Sequence, residues 1–211
     1  MDAAPISSDY PRDAITGVVL AGGRALRMGG EDKGLISVAG EAMVAHALDR
    51  LRPQVGAVLI NANRNARRYA ALGGCDVVAD CEGDFAGPLA GMASAMQRAE
   101  TPYILTVPCD SPLLAPDLAA CLFAALAGER AEISVAHDGD RLQPVFALLD
   151  CALHGAIMDY LATGGRKIDT WYAQRRVALA DFGHRPDMFL NINTPEDRDR
   201  LEARLAAHQR C

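Results

Sequence analysis

The sequence has no C-x-x-C pair among its six cysteines, no excess of basic residues and no apolar run approaching the roughly 20 residues of a membrane span. Each absence removes a class of protein. Cysteines at 75, 81, 109, 121, 151 and 211 spell neither a zinc ribbon nor a thioredoxin-type motif, and reduced thiols in the cytoplasm fit them best. A formal net charge of −6 argues against broad nucleic-acid binding, which needs a basic face. Residues 1–14 carry Pro5 and Pro11 without the apolar core of a secretory signal, so they read as a flexible leader. No internal repeat or low-complexity tract interrupts the rest. With half of its 211 residues hydrophobic, the chain can build one sizeable α/β domain over residues 15–211.

Two familiar phosphate loops are also missing. A Walker A loop needs Gly-Lys followed by Ser or Thr, but Lys33 lies between Asp32 and Gly34. The dinucleotide fingerprint G-x-G-x-x-G is not supplied by Gly22-Gly23-Arg24-Ala25. His137 is lone, and a structural or solvated role suits it better than a catalytic one.

What is present is a glycine-rich, cationic stretch after a buried strand. Residues 15–20 are apolar and β-branched, as in a parallel strand covered on both faces. The segment that follows, 21–34, combines paired glycines with Arg24, Arg27 and Lys33. Glycines let backbone N–H groups close on an anion and the cations add formal charge, so the segment reads as a triphosphate grip. In an acidic chain, an anionic substrate must be held locally, with a divalent cation to offset its charge.

The remaining pattern alternates strands and helices. Strands are expected at 57–60, 76–79, 103–107 and 177–179, and helices at 41–51, 66–72, 116–127 and 152–161, from Pro88 onward and from Thr194 onward. Segments 133–136 and 144–149 flank Asp138-Gly139, a tight-turn signal that adds an antiparallel hairpin. Residues 189–193 read as extended. This order implies a doubly wound, mostly parallel sheet with helices on both faces.

Open sheets of this kind bind ligands beyond the carboxyl ends of their strands, which directs attention to Asn61, Asp80 and Asp110. Asn61 serves equally well as a turn former. Asp110 sits on a turn bracketed by Pro108 and Pro112, a rigid hard-oxygen ligand suited to magnesium that already carries substrate phosphates; its alternative is a helix N-cap. Gly91 reads as a helix-packing residue, and Trp171 and Tyr172 as core. Thr194, Pro195 and Asp197 suffice to start the last helix, which leaves Asn191 and Asn193 available for a polar ligand. Arg166 and Lys167 follow two glycines on a turn that either meets a second substrate or is simply solvated.

The run LAGG-R-x-x-R-MGG-x-DKG over residues 20–34 resembles the signature of nucleotidyltransferases that activate phosphorylated metabolites, most of all the molybdenum cofactor guanylyltransferases. Residues 84–91, 108–112 and 191–197 resemble further motifs of that family in the same order. The resemblance implies a Rossmann-like nucleotidyltransferase fold and magnesium-dependent transfer of GMP from GTP to molybdenum-bearing molybdopterin, with release of pyrophosphate. It implies that Leu20, Ala21 and Gly22 line the nucleotide, Lys33 meets its phosphates, Asn61 and Asp80 meet the nucleoside, and Asp110 holds Mg2+. Asn191 and Asn193 match the pterin-side motif, with Arg166 and Lys167 as secondary contacts, while Arg27 is an added electrostatic candidate for catalysis. Cofactor-delivery proteins and client molybdoenzymes are the implied macromolecular partners. A cytidylyltransferase acting on the same pterin would share the phosphate grip and the metal turn, and a nonenzymatic nucleotide-sensing domain would share the grip. Release of pyrophosphate with magnesium separates the enzymes from the sensor.

Overall fold

Aliphatic residues at neighbouring positions of one strand need opposite covers, and this chain supplies both. The computed structural model describes residues 10–22, 32–81, 87–192, 196–199 and 201–202. Its strands are β1 (Ile15–Leu20), β2 (Ser37–Val38), β3 (Glu41–Ala42), β4 (Ala57–Asn61), β5 (Asp76–Val78), β6 (Tyr103–Pro108), β7 (Ile133–His137), β8 (Leu142–Asp150) and β9 (Val177–Asp181). The helices are α1 (Met43–Leu51), α2 (Ala66–Gly73), α3 (Pro88–Arg98), α4 (Leu118–Glu129), α5 (His154–Ala162) and α6 (Ile168–Tyr172).

Seven strands form one sheet in the order β5-β4-β1-β6-β8-β7-β9. β8 is antiparallel to both of its neighbours, whereas every other pairing in that sheet is parallel, so β8 is the one reversed strand. The expected hairpin around Asp138-Gly139 is its cause. Asp138 accepts the backbone N–H groups of Asp140 and Arg141, and Gly139 takes φ +97, where a side chain is disfavoured. His137 serves the same turn, its Nδ1 accepting the Gly139 N–H at 3.0 Å.

The period of two along each strand divides the core. Val19, Leu105 and Leu148 point to the face covered by α1, α2 and α4, while Val18, Ile104 and Leu149 point to the face covered by α3, α5 and α6. Trp171 and Tyr172 are buried in the second layer, as expected of core residues. A third cluster of Ile36, Val38, Met43, Ile192 and Leu201 joins the small β2–β3 hairpin to the last described segment, and Glu202 accepts the Ala39 N–H there.

Several boundaries differ from those read in the sequence. Residues 41 and 42 pair with 37 and 38 as a hairpin, so the helix expected over 41–51 begins at Met43. The helix expected from Pro116 begins at Leu118, because Asp117 has non-helical backbone angles and takes the N-cap position; its carboxylate pairs with Arg185 and makes no cap bond. Phe189 belongs to a short 3-10 turn, Pro186–Phe189, and not to an extended run. Pro186 fixes the first φ of that turn, and Phe189 packs edge-on against Phe146 and Phe182. The helix α6, five residues long, is too short to show a period in the sequence. No helix among the described residues is long and apolar enough to cross a membrane.

Candidate functional site

β1 lies between β4 and β6, and its register sets Leu20 beside Asn61 on one side and Pro108 on the other. The chain leaves β1 in one direction to reach β4 and the sheet is extended in the other by β6, which makes this edge a topological switch point. Leu20 and Ala21 are still bound into the sheet at this edge. The Leu20 carbonyl accepts the Cys109 N–H at 3.1 Å, and the Ala21 N–H donates to Asn61 O at 2.8 Å. The glycine-rich segment therefore starts from a rigid platform, flanked by the Asn61 amide and the turn bearing Asp110.

On the β4 side the polar groups are locked together. The Asn61 Nδ2 donates to Val78 O at 3.2 Å and to Asp80 Oδ1 at 2.9 Å. Asn63 makes a reciprocal pair with Asp80, its Nδ2 donating to Oδ2 at 2.7 Å while its Oδ1 accepts the Asp80 N–H at 2.8 Å. Both Asp80 oxygens are thus oriented by amide donors. Asn61 is buried, and a Cβ added at Gly91 would fall 2.3 Å from its Oδ1. Gly91 is therefore more than a generic helix-packing residue, because its missing side chain is the space the Asn61 amide occupies. Gly22 faces the same group, its notional Cβ lying 3.3 Å from Asn61 Oδ1 and 4.0 Å from Asp80 Oδ2.

The far end of the cationic segment is anchored from α2. Asp32 is buried and accepts from the Tyr69 hydroxyl at 2.6 Å and from Asn65 Nδ2 at 3.3 Å. Burial, reinforced by Cys109 and by the bond to Asp32, raises the Tyr69 pKa far above its ordinary value, so the phenol stays a donor. Gly34 completes the fit, since a Cβ there would meet the Tyr69 hydroxyl at 2.6 Å. Lys33, held between these two anchors, reaches across to Asp110 and its Nζ lies 3.2 Å from Oδ2.

Asp110 caps no helix. It stands on the turn after β6, with its side chain 13% exposed, and α4 starts well beyond it. Its neighbour Cys109 is buried, and burial, with Asp110 and Asp32 adding to it, pushes the thiol pKa up, which keeps it a neutral packing group. No group of three or more His, Cys, Asp or Glu side chains that could hold a metal occurs among the described residues. A single carboxylate is nevertheless the donor set suited to magnesium that arrives on substrate phosphates, since that ion keeps several waters and takes one or two protein carboxylates. Asp110 fits this role, and its ion pair with Lys33 sets the carboxylate beside the lysine of the cationic segment.

The acceptor-side candidate Asn191 is joined to this turn. Ser111, fully buried, donates its hydroxyl to Asn191 Oδ1 at 3.0 Å. Arg166 binds closer to home: its Nη1 donates to Leu161 O and Gly165 O, tying the turn to the end of α5. The same turn passes Gly87 at the start of α3, where a Cβ would lie 3.5 Å from Arg166 O. Arg24, Arg27, Asn193, Thr194 and Pro195 lie outside the described residues, as do Gly23 and residues 84–86 of the resembling motifs. Sequence reasoning missed Asn63, Tyr69 and Ser111. Asn63 follows Asn61 by two residues at a strand's end, which was the available signal; the partners of Tyr69 and Ser111 lie on distant elements and left none.

Comparison with known proteins bears on this arrangement. The model of the MobA-like NTP transferase domain matches residues 17–177. A molybdenum cofactor guanylyltransferase of Shewanella sp. strain MR-4 is 50% identical over 191 residues, covering 90% of this chain and 96% of its own. Another, from Shewanella loihica, is 48% identical over 192 residues, covering 91% and 97% respectively. Among solved structures, the molybdopterin-guanine dinucleotide biosynthesis protein A of Archaeoglobus fulgidus superposes with a TM-score of 0.76 at 20% identity, over 91% of this chain and 99% of its own, a likeness of fold. The family model over most of the chain and relatives sharing about half of its sequence show that the chain belongs to the MobA-like NTP transferase family, among the molybdenum cofactor guanylyltransferases.

Proposed function

We propose that this chain transfers GMP from GTP to the terminal phosphate of molybdenum-bearing molybdopterin, forming molybdopterin guanine dinucleotide and pyrophosphate. The observation that carries the reading is the division of the switch-point edge: amide and carboxylate acceptors at Asn61 and Asp80 on one side of Leu20, and the Lys33–Asp110 pair on the other. The first group suits the N1–H and N2–H donors of guanine or the ribose hydroxyls. The second suits a triphosphate, with Leu20, Ala21 and Gly22 between them along its length. The guanine assignment is further supported by the names carried by relatives sharing about half of the sequence.

In the reaction an oxygen of the acceptor phosphate attacks the α-phosphorus of GTP, and the bond from that phosphorus to the pyrophosphate oxygen breaks. The second pKa of a phosphate monoester lies near about 6, so at neutral pH the attacking oxygen is already largely deprotonated and needs no strong protein base. Catalysis then rests on positioning and on neutralising charge. Lys33 offsets charge on the triphosphate, and Asp80, fixed by Asn61 and Asn63, holds the nucleoside. Asp110 would hold magnesium, which when bound supplies positive charge to the phosphates. Arg27 is assigned the same electrostatic role, and Asn191 and Asn193 the acceptor side.

The test is a panel of nucleoside triphosphates assayed with molybdopterin acceptor and magnesium, scoring pyrophosphate and the dinucleotide product. GTP should be the productive nucleotide. Turnover of CTP in its place would overturn the base assignment, and nucleotide binding without pyrophosphate release would mark a sensing domain.

A further inference from the structure

Ser111 follows the candidate metal carboxylate directly in the chain and is fully buried. Its hydroxyl donates to Asn191 Oδ1 at 3.0 Å, across 80 positions of sequence. Ile192, the next residue, is buried in the cluster that contains Ile36 and Met43 and against which Leu113 packs. The backbone around Asn191 is thus pinned by an apolar neighbour, and its side chain is pinned by Ser111. An amide has two unlike arms. With the oxygen arm committed to a buried hydroxyl, the nitrogen arm of the otherwise exposed Asn191 offers two N–H donors on the other side.

We propose that Ser111 is a positioning residue for the acceptor: it fixes the Asn191 amide so that Nδ2 meets an oxygen of the acceptor's phosphate, in register with the adjacent Asp110. This rests on the assignment of Asn191 to the acceptor side. The chemistry favours a donor there, because a phosphate monoester presents only acceptor oxygens at neutral pH, and a carbonyl arm turned toward it would repel. Because Asp110 and Ser111 are consecutive, the bond also links the turn that serves the nucleotide to the segment that serves the acceptor. The two substrates are then held by a shared rigid element, the condition for bringing an attacking oxygen into line with the α-phosphorus.

The experiment measures acceptor KM and kcat with saturating GTP, and GTP affinity by calorimetry without acceptor. Ser111→Ala should raise acceptor KM by about five- to tenfold, the worth of one hydrogen bond, with GTP affinity unchanged. Ser111→Thr, which keeps the hydroxyl, should restore the wild-type value. Asn191→Asp keeps an oxygen for Ser111 but exchanges the donor for a second oxygen, and should raise acceptor KM further than Ser111→Ala does. If Ser111 acts through Asn191, the double variant Ser111→Ala with Asn191→Ala should be no worse than Asn191→Ala alone. Additive losses in the double variant, or equal losses of GTP affinity and acceptor use in Ser111→Ala, would overturn the inference. A normal acceptor KM in Asn191→Ala would overturn the acceptor assignment itself and this inference with it. A raised KM in Asn191→Ala beside a normal one in Ser111→Ala would overturn the inference alone.

Discussion

Replacing Gly91 by alanine sets two effects of opposite sign against each other. Alanine is the better helix former by about 0.8–1.0 kcal/mol, and α3 would gain that if nothing else changed. The added Cβ, however, would fall 2.3 Å from Asn61 Oδ1, 2.9 Å from its Cγ and 3.2 Å from Leu20 Cδ2. To restore an ordinary contact the buried amide must retreat by about 1 Å. It cannot do so and keep its bonds to Val78 O and Asp80 Oδ1. Overpacking of this kind costs about 1–3 kcal/mol, so the net change is a loss of stability of about 1 kcal/mol in a urea titration. The larger consequence is functional: displacement of Asn61 frees Asp80 Oδ1 from its donor, and GTP affinity measured by calorimetry should fall about tenfold. Gly128→Ala in α4 is the control, because a Cβ there meets nothing within 4 Å. That variant should gain up to about 1 kcal/mol of stability and bind GTP normally. A Gly91→Ala protein that is stabilised and binds GTP as the wild type does would refute the spatial argument.

Asp110→Asn preserves shape while removing charge, so turnover should drop by about 100-fold with little change in melting temperature; Lys33→Ala should act in the same direction, and wild-type turnover in either variant removes that residue from the phosphate site. Asp138 is held down to about 2 by the N–H groups of Arg141 and Asp140 and by the Gln143 amide. A lowered folded-state pKa contributes stability that is full above the ordinary carboxylate range and is lost as pH falls through about 2, so the melting difference between wild type and Asp138→Asn should hold near neutrality and shrink below about pH 4. A difference that does not vary with pH would contradict this. Finally, Cys81 is exposed and follows Asp80, whereas Cys109 is enclosed with its pKa raised. Alkylation of the native protein mapped by mass spectrometry should modify Cys81 and spare Cys109, and GTP should protect Cys81; modification of Cys109 before Cys81 would overturn the assignment of burial.

The parts of this molecule that were legible in the sequence are those governed by local pattern. β1, β4 and β6 were readable because largely buried parallel strands are short apolar runs, and the β7–β8 hairpin because Asp138-Gly139 encodes its turn. The strand ends in turn nominated Asn61, Asp80 and Asp110 by a rule of fold, and the structure brings all three to the edge around Leu20. What could not be read depends on pairs remote in sequence. Nothing near Asp32 signals that a tyrosine on α2 will bind it, and nothing near Asp110 signals the Ser111–Asn191 bond. Asp117 shows the converse: it stands where an N-cap belongs, yet a distant Arg185 claims it. The two-residue β2 and β3 strands are too short to have a period, and the five-residue α6 completes little more than one turn.

The reversal of β8 also bears on how the chain acquires its shape. β7 and β8 are joined by a tight turn and pair by closing a very short loop, whereas β1 and β6 are separated by three helices and the whole β4–β5 excursion. Closing a short loop costs less entropy than closing a long one, so the hairpin half of the sheet is favoured to zip first and the β4-β1-β6 half to be completed last. The edge around Leu20 belongs to that late half. Competence to bind a nucleotide would then appear only in the final step of folding, and in a refolding time course GTP binding should lag behind the protection of β7 and β8 amides from hydrogen exchange.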